Sequence, residues 1–169
     1  MIEVREAFSG ELEAAGAATA HAYEEFFDLG GPDEDLAYLA RIRDAAGRAA
    51  RTTILVALLD GAIVGSLTLE LDGRTDPRDD PLPSHRAHIR MLGVDPAART
   101  RGAGRALMRA AEERARTAGK SEMTLHTTGL METAHGMYSA LGYERVPDEI
   151  MPDGFVLMGY RKTLSVPRP

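Results

Sequence analysis

The sequence predicts a mixed α/β domain in which strands and helices alternate. Three observations predict it. Residues 53–71 read as two apolar strands joined by the turn pair Asp60-Gly61, an antiparallel hairpin. Residues 87–118 read as a buried strand, a glycine-bearing turn and a long alanine-rich helix closed by Gly119. Residues 122–142 repeat that unit as strand 122–127 and helix 131–141, with Gly142 at the C′ position. A chain of 169 residues is one domain by size and can bury a proper core.

The remaining elements follow in order. Ile2-Glu3-Val4-Arg5 alternates as a first strand. Residues 10–29 and 33–50 read as two helices broken by Gly30-Gly31-Pro32, with Asp33 capping the second. Residues 72–86 are rich in proline and charge and form a long loop, functional or mobile. In strand 87–94, Ile89, Met91, Leu92 and Val94 are the apolar positions, and Asp95-Pro96 stops it. In helix 102–118 the residues Ala103, Leu107, Ala110, Ala111, Ala115 and Ala118 recur at helical spacing. Residues 143–146 and 155–164 read as a last pair of strands around 147–153, and 165–169 as a frayed tail. There is no internal repeat and no linker, so the whole of 1–169 is one domain.

Composition narrows the function. The longest apolar stretch, 54–59, has strand length only, and the N-terminus lacks a signal-peptide layout, so no membrane role and a cytoplasmic location are expected. With no cysteine there is neither a disulfide framework nor a thiol nucleophile. A net charge of −6 argues against general nucleic-acid binding, which wants a basic face. Lys120 and Lys162 are the only lysines, and Asn, Gln, Trp and Cys are missing, a bias typical of a GC-rich genome.

The chemistry begins at Arg99-Thr100-Arg101-Gly102-Ala103-Gly104, where the glycine turn opens the long helix. Such a turn offers unpaired backbone N–H groups and the positive end of the helix dipole, a ready site for phosphate. Arg101 and Arg105 are unfavourable there unless an anion is present. The turn is not a P-loop, because Arg105-Ala106 replaces Lys-Ser or Lys-Thr. It is not the dinucleotide fingerprint either, because Leu107 stands where a third glycine is needed. Arg-x-x-Gly-x-Gly after Leu92-x-Val94-Asp95-Pro96 resembles the acyl-coenzyme A motif of the GNAT superfamily of N-acyltransferases. Ala134, Tyr138, Leu141, Gly142 and Tyr143 resemble the superfamily's second motif, Ala-x-x-x-Tyr-x-x-Leu-Gly-Phe/Tyr. The matches span 87–143, roughly a third of the chain.

That resemblance implies a central, mostly antiparallel twisted sheet flanked by helices, with strands 87–94 and 122–127 splayed apart. It implies acetyl-coenzyme A as co-substrate and transfer of the acetyl group to a primary amine, of a small molecule or a peptide. The pantetheine arm and oxyanion are expected along Leu92, Gly93 and Val94, through the N–H groups of Leu92 and Val94. The pyrophosphate is expected on Arg99, Thr100, Arg101, Gly102, Ala103, Gly104 and Arg105, largely on backbone amides. Tyr138 is the expected donor to the departing thiolate, its phenol having a pKa near 10. Without a cysteine, direct attack in a ternary complex is favoured over a covalent acyl-enzyme.

His88 stands where many relatives carry a glutamate and is the expected general base. His126, Glu70 and a water chain are the alternatives, and a partly exposed strand histidine without duties fits His88 as well. His21 and His85 are expected on the surface, and His135 on the outside of its helix. The five histidines show no metal-ligand spacing, so no metal is expected. Met131 replaces the asparagine that commonly opens the second motif, leaving one coenzyme hydrogen bond to Thr127, Thr128 or Thr133. Residues 6–40 hold nine acids and no Lys or Arg, which suits a cationic acceptor, whereas Arg74, Arg78, His85 and Arg86 suit an acidic one. Dimers are common in the superfamily, so a homodimer is one expected assembly. A coenzyme A sensor without catalysis is the alternative function, and a scaffold domain of the same fold a third.

Overall fold

A computed structural model describes residues 1–27 and 33–165. Seven strands form one sheet: β1 (Ile2–Glu6), β2 (Thr53–Leu59), β3 (Ala62–Glu70), β4 (Arg86–Val94), β5 (Glu122–Thr127), β6 (Glu144–Ile150) and β7 (Val156–Thr163). Among the described residues five α-helices flank it: α1 (Leu12–Tyr23), α2 (Asp33–Arg43), α3 (Ala45–Ala49), α4 (Ala103–Thr117) and α5 (Glu132–Ala140). The strand order is β1-β2-β3-β4-β5-β7-β6. Neighbours are antiparallel except β4 and β5, whose parallel pairing requires a crossover, supplied by α4. The expected mixed fold with a mostly antiparallel sheet is therefore present.

Side-chain alternation along β2 sets the two layers. Leu55 and Ala57 join Leu67, Leu69, Ala87, Ile89, Met123 and Leu125 against α4 and α5. Ile54, Val56 and Leu58 face the other way and pack on Ala15 of α1. Helix α4 buries Ala103, Leu107, Met108, Ala111 and Ala115. Ala118, expected on that stripe, is exposed at the helix end, and the buried Glu112 takes part instead. Glu112 is tolerated because Lys162 Nζ (2.9 and 3.0 Å) and the Tyr143 hydroxyl (3.1 Å) donate to its carboxylate, tying α4 to the C-terminal strands.

Three expectations change. The helix expected over 33–50 is two helices, because Asp44 leaves helical geometry (ψ 63°) and its carboxylate accepts from Gly47 N at 2.9 Å, capping α3. The break lets Arg48 turn inward, where it donates to Thr68 Oγ1 (2.8 Å) and to the Arg41 carbonyl (2.9 Å) at the end of α2. The last strand pair is longer than expected: β6 runs through Pro147 with a register shift between Val146 and Glu149, as an edge strand permits. Strand β4 is also not regular. Between Ser66↔Gly93 and Thr68↔Arg90 it spends one extra residue, and Met91 takes a positive φ of 52° in that bulge. The expected break at Gly30-Gly31-Pro32 and most of the expected tail, 166–169, lie outside the described residues.

Leu107 is fully buried at the centre of the α4 face. Leu107→Ala is expected to lower unfolding free energy by about 2–5 kcal/mol. Arg109→Ala, on the exposed side of the same helix, is expected to change it by less than about 0.5 kcal/mol. Urea unfolding of both variants checks the contrast.

Candidate active site

Strands β4 and β5 pair over Arg86–Ile89 and Glu122–Leu125 only. Past that point β4 is held by β3 alone, and His126 and Thr127 by β7 alone. The bulge at Met91 falls at the start of this opening and bends β4. The result is a cleft of about 980 Å³ through the sheet, lined by 89–94 on one side and 125–127 on the other. Leu92, Gly93 and Val94 all line it, on a strand whose β5 side has no partner. Gly93 packs against Thr19 and Ala22 of α1, so the cleft wall is braced from behind.

The glycine turn closes one end of the cleft. Thr100 (φ 68°) and Gly102 (φ 86°) both adopt left-handed backbone, and Gly102 caps α4 without any side-chain hydrogen bond. The first N–H groups of α4 are therefore uncapped. A Cβ on Gly104 would stand 3.3 Å from Met137 Sδ and 3.8 Å from Val94 Cγ2, narrowing the cleft at the helix start. Thr100, Gly102, Ala103, Gly104 and Arg105 line the cleft; Arg101 is exposed and does not. Arg101 and Arg105 have no partner among the described residues. Arg99 is committed to the protein: it meets Glu25 Oε1 at 2.5 Å and donates to the Ala22 carbonyl at 3.2 Å, anchoring the turn to the end of α1.

Tyr138 stands on the opposite wall, on α5. Its ring is buried against Tyr143 and Tyr160, with centroids 6.1 and 5.4 Å away. Its hydroxyl has no hydrogen-bond partner among the described residues, and burial pushes its pKa up, so the phenol keeps its proton. Thr127 Oγ1, also in the cleft wall, is buried and makes no hydrogen bond. An unpaired buried hydroxyl costs free energy, so this atom is suited to a ligand partner. Thr133 lines the cleft too, whereas Thr128 does not; its carbonyl accepts from His135 Nε2 at 2.8 Å. His135 is thus half-buried and pins that turn, not free on the helix exterior as expected.

The histidines divide between two cavities. His88 is buried, not partly exposed, with Nδ1 2.7 Å from Thr124 Oγ1. Burial lowers its pKa well below the usual value, and His126 and Arg90 reinforce the shift. It does not line the main cleft but a second cavity of about 310 Å³. His126 lines both, its ring 5.2 Å from that of His88. Burial lowers the His126 pKa as well, against the opposing pull of Glu149, whose carboxylate is 3.7 Å away. Glu70 is fully buried and lines neither cavity. Its carboxylate accepts from Thr75 N (2.8 Å) and lies 2.8 Å from Arg74 Nε and 3.5 Å from Arg90 Nη1.

Several of the charged residues named from sequence are paired in place. Glu6 pairs with Arg114, Glu11 with Arg5, Glu24 with His21 and Glu25 with Arg99. Arg78 pairs with Asp76 at 2.7 Å and Arg86 with Glu122 at 2.5 Å. Sequence reasoning missed Met137 and Leu130 as cleft walls and Thr124 and Arg161 in the second cavity. Only the sheet register brings those last two beside the histidines. Among the described residues, no group of three or more His, Asp or Glu is placed to hold a metal, and no helix is long and apolar enough to cross a membrane.

Comparison with known proteins agrees with this geometry. The chain resembles an acetyltransferase of the GNAT family from Staphylococcus aureus Mu50 (16% identity, TM-score 0.72, covering 98% of this chain and 100% of that one). It resembles the PaiA N-acetyltransferase of Thermoplasma acidophilum, solved in complex with coenzyme A (15% identity, TM-score 0.70, 94% and 98% covered). It also resembles the ribosomal-protein-S18-alanine N-acetyltransferase of Escherichia coli (16% identity, TM-score 0.70, 99% and 97% covered). No curated protein matches the sequence. At such identities these likenesses speak to the fold alone. Residues 17–143, three quarters of the chain, match the sequence profile described as the Acetyltransferase (GNAT) family. With the parted β4 and β5, the glycine turn at α4 and Tyr138 across the cleft, that match identifies the chain as a member of the GNAT acetyltransferase family.

Proposed function

We propose that the protein transfers an acetyl group from acetyl-coenzyme A to a primary amine, in a ternary complex. The observation that carries this reading is the cleft: uncapped α4 N–H groups at one end, and a free, protonated Tyr138 hydroxyl and an unpaired Thr127 hydroxyl in its walls. The N–H groups of Gly102, Ala103, Gly104 and Arg105 receive the diphosphate, and Arg105 and Arg101 add positive charge. The open edge of β4, at Leu92 and Val94, meets the amide arm and supplies N–H donors to the developing oxyanion. Thr127 replaces the hydrogen bond lost with Met131.

His126 removes the proton from the attacking amine. It is the histidine that lines the main cleft, and its lowered pKa keeps it neutral near pH 7. His88, reached through the second cavity, is the alternative base. As the amine nitrogen bonds to the carbonyl carbon, the carbon–sulfur bond breaks and the Tyr138 hydroxyl donates to the leaving sulfur. A thiol pKa near 8.5 lies below that of a phenol, so Tyr138 stabilises the thiolate by hydrogen bonding, and the proton taken from the amine finally neutralises it.

Thermal unfolding with coenzyme A, acetyl-coenzyme A and NAD in parallel tests the site. A ligand at about 100 times its Kd stabilises the fold by roughly 2.7 kcal/mol, seen with both coenzyme forms and not with NAD. Gly104→Val is expected to abolish that shift by filling the helix start, and a persisting shift places the diphosphate elsewhere. Tyr138→Phe is expected to lower kcat by about 10²–10³-fold with coenzyme affinity retained; an unchanged kcat removes Tyr138 from the reaction. The kcat/KM–pH profile is expected to show an acid limb with its midpoint below 6.5, because the lowered His126 pKa in the free protein keeps the base neutral down to that pH. His126→Gln should erase the limb; its loss in His88→Gln instead assigns the base to His88. Coenzyme binding without thiol release from any amine is the signature of a sensor.

A further inference from the structure

The second cavity has a chemistry of its own. It lies on the α1 side of the sheet between β4, β5, β7 and the loop before β4, and Leu125 and His126 are common to it and the main cleft. Its volume of about 310 Å³ is at the lower end for small-molecule sites, about 300–1,000 Å³. Three arginines are among its lining residues, Arg74, Arg86 and Arg161, and no Asp or Glu is. Arg74 and Arg86 are compensated from outside the cavity by Glu70 (2.8 Å) and Glu122 (2.5 Å). Arg161 is not: its side chain makes no ion pair or hydrogen bond among the described residues. Glu144, cross-strand from it on β6, forms no ion pair with it.

The sheet register fixes where this charge sits. His88 pairs with Thr124, and Thr124 with Arg161, so the three residues form one row across β4, β5 and β7 on the same face. His126 is two residues further along β5, about 7 Å, at the point where the two cavities meet. An arginine without an ion pair therefore stands in the same cavity lining as His126 and one step along the same face of the sheet from it, next to the place proposed for the acceptor nitrogen.

We propose that the acceptor is a small primary amine bearing a carboxylate a few bonds from its nitrogen, as in an amino acid, and that Arg161 receives the carboxylate in the second cavity while the amine lies at His126. This inference rests on the acetyl-transfer reading and deepens it by naming the acceptor class. A guanidinium meets a carboxylate through two parallel N–H donors, so it selects for that group and not merely for negative charge. Arg161 acts in acceptor binding and not on the reacting bond.

The test uses matched pairs that differ by one carboxylate: phenylalanine against phenethylamine, leucine against isoamylamine, lysine against cadaverine. Acetyl transfer from acetyl-coenzyme A is followed by thiol release, and binding by calorimetry with and without coenzyme A. The carboxylate-bearing member of at least one pair is expected to bind and react about 10–100-fold better, the worth of a hydrogen bond to a charged group. Arg161→Gln should remove that preference through KM, with a much smaller change in kcat, and Arg161→Lys should restore part of it. Because Arg161 is exposed and its side chain has no hydrogen bond or ion pair to lose, its variants are expected to unfold at about the same denaturant concentration as the parent. Equal or better binding of the decarboxylated partners overturns the inference, as does a preference that survives in Arg161→Gln, or no binding of any acid at millimolar concentration. Arg161-dependent binding without turnover upholds it and overturns acetyl transfer instead.

Discussion

Everything functional in this molecule depends on one pairing that stops early. Strands β4 and β5 share only four residue pairs before they part. The parallel pairing obliges the chain to cross over through α4, which brings the glycine turn to the end of the opening. The parting leaves one edge of β4 without a partner in the middle of the sheet, where an open edge is otherwise a liability. The bulge at Met91 and the packing of Gly93 on Thr19 and Ala22 hold that edge in place. The site is thus built on rigid elements, with loops only at its rim.

The two faces of the sheet do different work. The α4 face is an ordinary apolar core whose one buried acid, Glu112, is fully partnered. The α1 face turns polar from β3 onward, with Ser66, Thr68, Glu70 and His88 all buried. Such groups cost free energy unless paired, and most of them are: Arg48 with Thr68, Glu70 with Thr75 and the arginines, His88 with Thr124. These partners hold His88 close to His126; burial lowers the pKa of both rings, with the neighbouring cations reinforcing the shift at His88 and only Glu149 opposing it at His126.

Charge is placed the same way. Arg99, one of the arginines named as ligands from sequence, joins distant parts of the chain. Glu6 at the end of β1 and Glu11 before α1 are spent on similar links. Arg105 and Arg101 at the helix start and Arg161 by the second cavity keep no ion pair among the described residues, and the proposed anion contacts fall on them. Ion pairing inside the fold decides which charges are free to bind.

The sequence by itself determined the alternating strand and helix plan, the hairpin at Asp60-Gly61, the glycine turn and the stripe that carries Tyr138, because these are local signals of period and turn chemistry. Two motifs at that spacing also sufficed to expect the family. Only the tertiary structure decided the break at Asp44, which serves the inward Arg48, and the bulge at Met91, which answers to the neighbouring strand. It alone decided that His88 is buried behind His126, that Arg99 is engaged, and that Arg161 lies in a row with Thr124 and His88. The reason is physical: hydrophobic period and turn residues act within a few positions, whereas burial, ion pairing and sheet register are set by residues from strands and helices far apart in the chain.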